Sequence, residues 1–450
     1  MPFTLVADKV RNLTREQFQD IANEALKYRC PDVDVGTPDS PPQQSPTRYP
    51  TDQEIYNAVD ALGDKNIFDY YRQRDFLFSQ EVLTRYTISL LTKPFAILTG
   101  ISGTGKTKIA QLFADYMHQG LETEQRNKRI AFIPVRPDWM DNKGLLGYYN
   151  ILNNTYHAPK ALRLLLEANK DENKNTPHFI ILDEMNLAKV EHYFSDFLSI
   201  METKTKNNPT GEALVLHDQG DGVTTADDIP IPSTLHIPAN VFITGTVNID
   251  ESTYMFSPKV LDRANVIEFN DVLFRATEDQ GGTGNFGERP FVDNFWLEQP
   301  TVDQLADTLG NTIQQTITSH ISPDTPPSDT VRAIRKHITE ILSILERHNL
   351  HFGYRVIDEI LRFATLAEQH VNANGNLATT ILDIQLSQKI LPKFHGPQAK
   401  LEAPLTALLD YAKPAVAETT ERQVALPRSA EKLERMLDRL KAQGYADFID

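Results

Sequence analysis

Between Gly100 and Thr107 the chain reads Gly-Ile-Ser-Gly-Thr-Gly-Lys-Thr, and no other stretch constrains its fold as much. Phe95-Ala-Ile-Leu-Thr99 ahead of it is a short apolar run that reads as a buried strand. Behind it, Ile109, Leu112, Phe113 and Met117 recur at helical spacing between Lys106 and His118. Strand, glycine-rich turn and helix N-terminus together aim backbone N–H groups at phosphate oxygens, and the helix dipole adds to the attraction. Gly100, Ser102, Gly103, Thr104, Gly105, Lys106 and Thr107 are therefore candidates for cradling a nucleoside triphosphate. Lys106 is expected to reach the β/γ-phosphates and Thr107 the Mg²⁺ ion.

A second segment completes that chemistry. Phe179-Ile-Ile-Leu-Asp183-Glu184 is an apolar strand ending in two acids, the Walker B arrangement. Buried strands rarely finish on paired carboxylates without a cation or substrate to satisfy them. Asp183 is the candidate metal ligand, holding Mg²⁺ through water. Glu184 is the candidate group that orients and deprotonates an attacking water. A base at this position favours hydrolysis over mere nucleotide sensing.

With 450 residues the chain has room for two or three domains. The net charge of −16 argues against a protein that coats nucleic acid over its whole surface, though not against a local basic groove or ring lumen. Arg126, Lys128 and Arg129, and Lys204 with Lys206, are small basic clusters that read first as solvated faces. A single cysteine, Cys30, leaves no intramolecular disulfide framework and fits a reducing cytosol. The N-terminus lacks a long apolar secretion segment, and no apolar run approaches the roughly 20 residues of a membrane span. A cytoplasmic location without membrane association is expected.

Along the chain, Thr14 and Gln17 resemble a capping box opening a short helix, followed by a Pro- and Ser-rich tract from Asp34 to Asp52. Residues 1–50 thus read as a helical arm and a disordered linker. Residues 51–273 read as an α/β core: a helical lead-in to Leu91, then strands alternating with helices as in a parallel sheet with crossovers. The further strands are placed at Arg129–Pro134, Phe179–Leu182, Val241–Thr246 and Asn265–Phe269. Val190, Tyr193, Phe194, Phe197, Leu198 and Met201 predict one amphipathic helix. Residues 274–297, glycine-rich from Gly281 to Pro290, read as a mobile linker. From 298 to 450 the pattern is wholly helical, with Ile334, Ile338, Ile341, Leu342 and Leu345 on one face. Leu433, Met436, Leu437 and Leu440 lie on another, ended by Gly444.

From about Phe68 to the C-terminus these segments resemble the AAA+ NTPases of the McrB type, motor subunits of modification-dependent restriction systems. The likeness rests on Gly100–Thr107, on Val135-Arg-Pro-Asp-Trp139 running into Leu145-Leu-Gly-Tyr-Tyr-Asn150, and on Ile181 through Asn186 to Asp196. It continues in Gly245-Thr-Val-Asn-Ile-Asp250, Ser257-Pro-Lys-Val-Leu-Asp-Arg263, Phe352-Gly-Tyr-Arg355-Val-Ile-Asp-Glu359 and Ile390-Leu-Pro-Lys-Phe-His-Gly396. The resemblance implies a P-loop α/β fold with a helical C-terminal lid. It implies a first sensor at Asn248, an arginine finger at Arg263 reaching the neighbouring subunit's nucleotide, and a second sensor at Arg355. The bland alternatives are a turn-capping Asn248, an Arg263 paired in its own chain with Asp262 or Glu268, and a surface Arg355. Asp138, Trp139 and Asp141 match a loop that faces a central pore in the family, with core packing an equal alternative for Trp139. His351 and His395 receive no role.

The resemblance further implies a homo-oligomeric ring, most simply a hexamer, hydrolysing ATP or GTP with Mg²⁺ and driving a McrC-like nuclease partner in defence against invading DNA. Two departures put guanine preference in doubt: the sensor segment ends Asn248-Ile-Asp250, one residue short of the family's signature, and Ala264 stands where GTP-using members have a second arginine. The chain has no room for a modified-base-reading domain, so DNA contact falls to the partner. The competing expectations are a MoxR-like protein-remodelling chaperone and a nucleotide-gated scaffold.

Overall fold

Five apolar runs of five to eight residues form one parallel sheet, and their order decides where the polar strand ends gather. The structure, a computed structural model, describes residues 66–74, 76, 78–203, 211–249, 254–269, 295–297, 305, 327–415 and 425–449. It divides into two compact units, Met1–Phe76 and Leu77–Asp450. In the first, helix α1 (Ile67–Gln73) starts where the Asn66 side chain accepts a hydrogen bond from the Asp69 N–H at 2.9 Å. The expected arm and Pro/Ser-rich tract lie outside the described residues.

In the second unit, helix α2 (Gln80–Thr92) opens on Ser79, whose hydroxyl accepts from the Val82 N–H at 3.1 Å. The sheet strands are β1 (Phe95–Gly100), β2 (Ile130–Pro134), β3 (His178–Asp183), β4 (Val241–Asn248) and β5 (Asn265–Phe269). Their spatial order is β2-β3-β4-β1-β5, and every pairing is parallel. Helices α3 (Lys106–Met117), α4 (Lys160–Ala168) and α5 (Ser195–Thr203) belong to the connections between strands. A sheet covered on both faces needs strands that are apolar throughout, and β1 is buried at all six positions.

Register brings three strand ends together. Gly100 pairs with Asn248 and Leu182 with Gly245, so β1, β3 and β4 finish along one carboxyl edge. Open parallel sheets bind ligands in the crevice outside that edge. A side chain at Gly100 would place its Cβ 2.2 Å from the Phe269 carbonyl oxygen, which keeps β1 and β5 close where the loop departs.

Two expectations change. The helix predicted from Val190 to Met201 is interrupted: a turn at Val190–Tyr193 ends at Phe194, and α5 begins at Ser195. The apolar stripe survives the break, because Phe194 stacks on Phe197 at 4.8 Å and packs against Phe95 at 5.4 Å. The C-terminal part is not wholly helical either. It comprises α6 (Asp329–Glu346), α7 (Tyr354–His370), α8 (Leu377–Gln385), α9 (Gln398–Ala412) and α10 (Pro427–Gln443). Between them, Val371–Ala373 pairs antiparallel with Phe295–Leu297, and Gly396–Pro397 pairs with Tyr445–Ala446. Phe295–Leu297, assigned by pattern to the mobile linker, is thus a strand with Phe295 and Leu297 buried. Three-residue strands carry too little periodicity to stand out in sequence. The rest of that linker lies outside the described residues.

The C-terminal helices share their unit with the sheet and join it through buried polar groups. A π-helical turn, Leu386–Ile390, extends α8 and carries Gln388 and Lys389. Lys389 donates to the Asp262 and Ala264 carbonyls at 2.9 and 3.0 Å, beside the start of β5. Asp383 accepts from the Arg428 and Ser429 N–H groups at 3.0 and 2.8 Å, capping α10.

Candidate functional site

The loop after β1 is shaped by its glycines. Gly103 and Gly105 have φ of 80° and 89°, a left-handed region open to glycine at little cost, and Gly105 directly precedes α3. The first N–H groups of α3 therefore face the turn, where an intrahelical acceptor is absent by geometry. Lys106 is buried, and its ammonium donates to the Gly100 and Ile101 carbonyls at 2.8 and 2.5 Å. Its charge thus lies on the loop itself. Thr104 closes the loop by donating to the Ile101 carbonyl at 2.9 Å. Ser102 and Gly103 are exposed at the rim.

The acids stand directly opposite. Thr107 Oγ1 donates to Asp183 Oδ1 at 2.7 Å, which joins the N-terminus of α3 to the end of β3. Thr246, on β4 between β1 and β3, also donates to Asp183 Oδ1, at 2.9 Å. Glu184 adopts φ 53° and ψ 53°, a left-handed conformation that costs a non-glycine residue about 1–3 kcal/mol. Its N–H donates to Thr246 Oγ1 at 3.0 Å, and its Oε1 accepts from Asn248 Nδ2 at 3.1 Å. Glycine loop, Lys106, Thr107, Asp183, Glu184 and Asn248 thus form one contiguous group at the carboxyl edge. Strain at Glu184 turns its side chain off the strand, and two β4 residues hold the result in place.

The residues fit a hydrated divalent cation. Among the described residues no group of three or more His, Cys, Asp or Glu side chains is placed to hold a metal. Mg²⁺ keeps several waters and is bound by one or two carboxylates plus phosphate oxygens, a set to which Asp183 and Thr107 could contribute. Thr107 gives its hydrogen to Asp183 and so keeps its oxygen lone pairs for a cation.

Arg263 and Arg355 belong to a different group. Arg263 is buried and donates to the Leu198 carbonyl at 3.0 Å, to the Lys259 carbonyl, and in an ion pair to Glu202. Arg355, at the start of α7, reaches the same Glu202 at 3.0 Å and Asp262 at 3.4 Å. An ion pair within the chain was the weaker expectation for Arg263, but its partner is Glu202 on α5 rather than Asp262 or Glu268. Asp262 also pairs with Lys393, and Glu359 pairs with Lys389 and with Lys93 at 2.6 Å. Hydrogen bonding to Arg355 and the charge of Arg263 hold the Glu202 carboxyl below its usual range. Burial would raise Asp262 and Glu359, but the neighbouring lysines outweigh it and keep both low. Burial drives Lys93 down to about 8, with Lys389 adding to the effect.

Several partners were invisible in the sequence. Thr246 sits two residues before Asn248, on the same face of β4 as Asn248, and that alternation was the available signal. Glu202, Glu359 and Lys389 carry no motif. Trp139 is half-buried against Tyr193, with ring centroids 5.3 Å apart, whereas Asp138 and Asp141 are exposed. Lys128 and Arg126 pair with Glu124 and Asp115 on the surface, as a solvated face would.

A family model described as Domain of unknown function (DUF8727) matches residues 312–445, less than a third of the chain. No curated protein matches it. The matched stretch includes Arg355, Glu359, Lys389 and Lys393 but none of the residues at the carboxyl edge of the sheet. Among the described residues no helix is long and apolar enough to cross a membrane.

Proposed function

We propose that the chain is a Mg²⁺-dependent nucleoside triphosphatase of the AAA+ class, acting as the motor of a ring. The observation that carries this reading is the 2.7 Å bond from Thr107 to Asp183, which sets a phosphate-binding loop against a strand-end acid pair. The interposed β4, delivering Asn248 to Glu184, supports it further.

In this account the N–H groups of the loop and of the first turn of α3 bind the phosphate oxygens. Lys106 exchanges its two carbonyl acceptors for the β- and γ-phosphates. Thr107 and Asp183 would hold Mg²⁺, which would supply neutralisation of the charge on the phosphates. Glu184 orients a water in line with the γ-phosphorus and takes its proton as the new P–O bond forms and the bond to the β-phosphate oxygen breaks. Asn248 fixes the rotamer of Glu184 during that transfer. Nucleoside diphosphate and phosphate leave. The substrate is ATP or GTP.

Arg263 and Arg355 lie with Glu202, away from this group, so their catalytic use requires a second subunit's nucleotide or a movement of α7. The proposal therefore includes a homo-oligomer, most simply a hexamer, and, by its resemblance to McrB-type motors, a McrC-like nuclease subunit through which DNA is met. A MoxR-like remodelling ATPase is the alternative, favoured only by the acidic net charge of −16. Turnover of ATP and GTP is to be measured with and without DNA and a candidate nuclease. Stimulation by nuclease plus DNA supports the restriction motor; stimulation by a protein client alone supports the remodelling enzyme. No turnover of either nucleotide under any condition contradicts both.

A further inference from the structure

We infer that Thr246 is the positioning residue that locks both acids of the site at once, an inference that rests on the hydrolase reading above. Its hydroxyl has a single hydrogen, and the bonds on either side leave no ambiguity in how it is used. Glu184 N–H can only donate, so Thr246 Oγ1 accepts there at 3.0 Å. The hydrogen then goes to Asp183 Oδ1 at 2.9 Å. One oxygen thereby fixes the side chain of the first acid and the backbone of the second.

Burial makes this a specific arrangement. Thr246 is 2% exposed on a central strand, where valine would pack as well and carry no polar atom to satisfy. The residues that share its face, Thr244 and Asn248, are likewise committed: Thr244 to the Tyr86 hydroxyl at 2.8 Å and Asn248 to Glu184. Thr246 spans the junction where the chain leaves β3 and turns left-handed at Glu184. Thr107 delivers a second hydroxyl to Asp183 Oδ1. A carboxylate oxygen accepts about two such bonds, so the paired threonines occupy Oδ1 and leave Oδ2 as the oxygen for the hydrated cation. Without the Thr246 hydroxyl, Asp183 Oδ1 loses one of its two threonine bonds, and the Glu184 N–H loses the Thr246 oxygen at a strained position.

The test compares Thr246→Val, which keeps the shape, with Thr246→Ser, which keeps the hydroxyl, using magnesium titrations both of steady-state hydrolysis and, without turnover, of the binding of a fluorescent non-hydrolysable nucleotide. For Thr246→Val, kcat is expected to fall about tenfold to a hundredfold with KM for nucleotide within about threefold, since binding lies with the loop. Half-saturating Mg²⁺ is expected to rise about fivefold or more as Asp183 loses its orientation. Thr246→Ser is expected to restore both to within about threefold. A valine variant with wild-type kcat and Mg²⁺ dependence overturns the inference while leaving the hydrolase reading intact. So does a serine variant as impaired as valine when both melt like the wild type. A wild-type chain that neither binds nor hydrolyses nucleotide overturns both.

Discussion

The acid end and the arginine end of this molecule are built in opposite ways. At the carboxyl edge of the sheet, Lys106, Thr107, Asp183, Glu184 and Asn248 come together within one chain, with Thr246 bonding both acids. At the other end, Arg263 and Arg355 have their charge satisfied by Glu202 and Asp262 of the same chain. The first arrangement presents donors and acceptors that a phosphate and a cation would complete. In the second, each arginine is already paired with a carboxylate, so any anion that uses these arginines must compete with one. A single chain thus carries an assembled polar group at the sheet edge and a restrained pair of arginines.

The largest expected effect lies at the acid end. Lys106→Ala should remove nucleotide binding and lower turnover by about a thousandfold, because the side chain is the only ammonium the described loop offers to phosphate. Equilibrium binding of a fluorescent nucleotide checks it; unchanged affinity would break the contrast. Next, Glu184→Gln should slow hydrolysis by about 10²- to 10³-fold while binding persists, as loss of a general base does. Single-turnover assays separate the two steps.

The arginine end is then tested by complementation. Arg263→Ala alone should reduce turnover, and so should Glu184→Gln alone. Mixing the two inactive proteins should restore part of the rate, because each supplies what the other lacks across a subunit boundary. Absence of any recovery in an assembly that sizing shows to be mixed would place Arg263 in its own chain's service. A smaller effect is expected at Glu202. Glu202→Gln should raise turnover by about two- to fivefold by loosening its hold on both arginines. The thermal midpoint should move by no more than about 3 °C, since Glu202 and Arg355 are half-exposed and such pairs contribute little.

Acid provides a perturbation that touches neither end directly. Burial, helped by Arg129, pushes His118 down to about 3, and burial pushes His178, at the opposite edge of the sheet, down to about 4. Both lie below the usual imidazole value of about 6.5, so the unfolded chain binds protons first as pH falls. Their contribution to stability is constant above about pH 6.5 and is lost progressively below it, down to about pH 4 for His178 and about pH 3 for His118. A denaturant midpoint measured at pH 5 should correspond to a loss of about 4 kcal/mol relative to pH 7.5, about 2 kcal/mol from each imidazole.

How much of this could be read from sequence depended on whether a function leaves a local signature. All five sheet strands were legible, because fully buried parallel strands are continuous apolar runs. So was the proximity of loop and acids, since strand, loop and helix carry their own spacing. Gly444 was legible as a helix terminator, with φ 72° and its N–H on the Leu440 carbonyl. The break at Phe194 was not, because burial periodicity is indifferent to one interrupted backbone bond. Phe295–Leu297 was not, because its partner, Val371–Ala373, lies more than seventy residues away. Thr246 looked like one more β-branched strand residue, and its role depends on a neighbour strand sixty residues earlier. Glu202 was hidden for the same reason: an ion pair across elements has no sequence period.

The most direct test of the central claim is titration of the purified chain with ATP and GTP by calorimetry, with and without Mg²⁺. Lys106→Ala and an Asp183→Asn variant serve as controls. The account predicts saturable binding of at least one nucleotide, strengthened by Mg²⁺, abolished in Lys106→Ala and stripped of its Mg²⁺ dependence in Asp183→Asn. Binding of neither nucleotide by the folded wild type, or affinity indifferent to Mg²⁺ and to both substitutions, would contradict it.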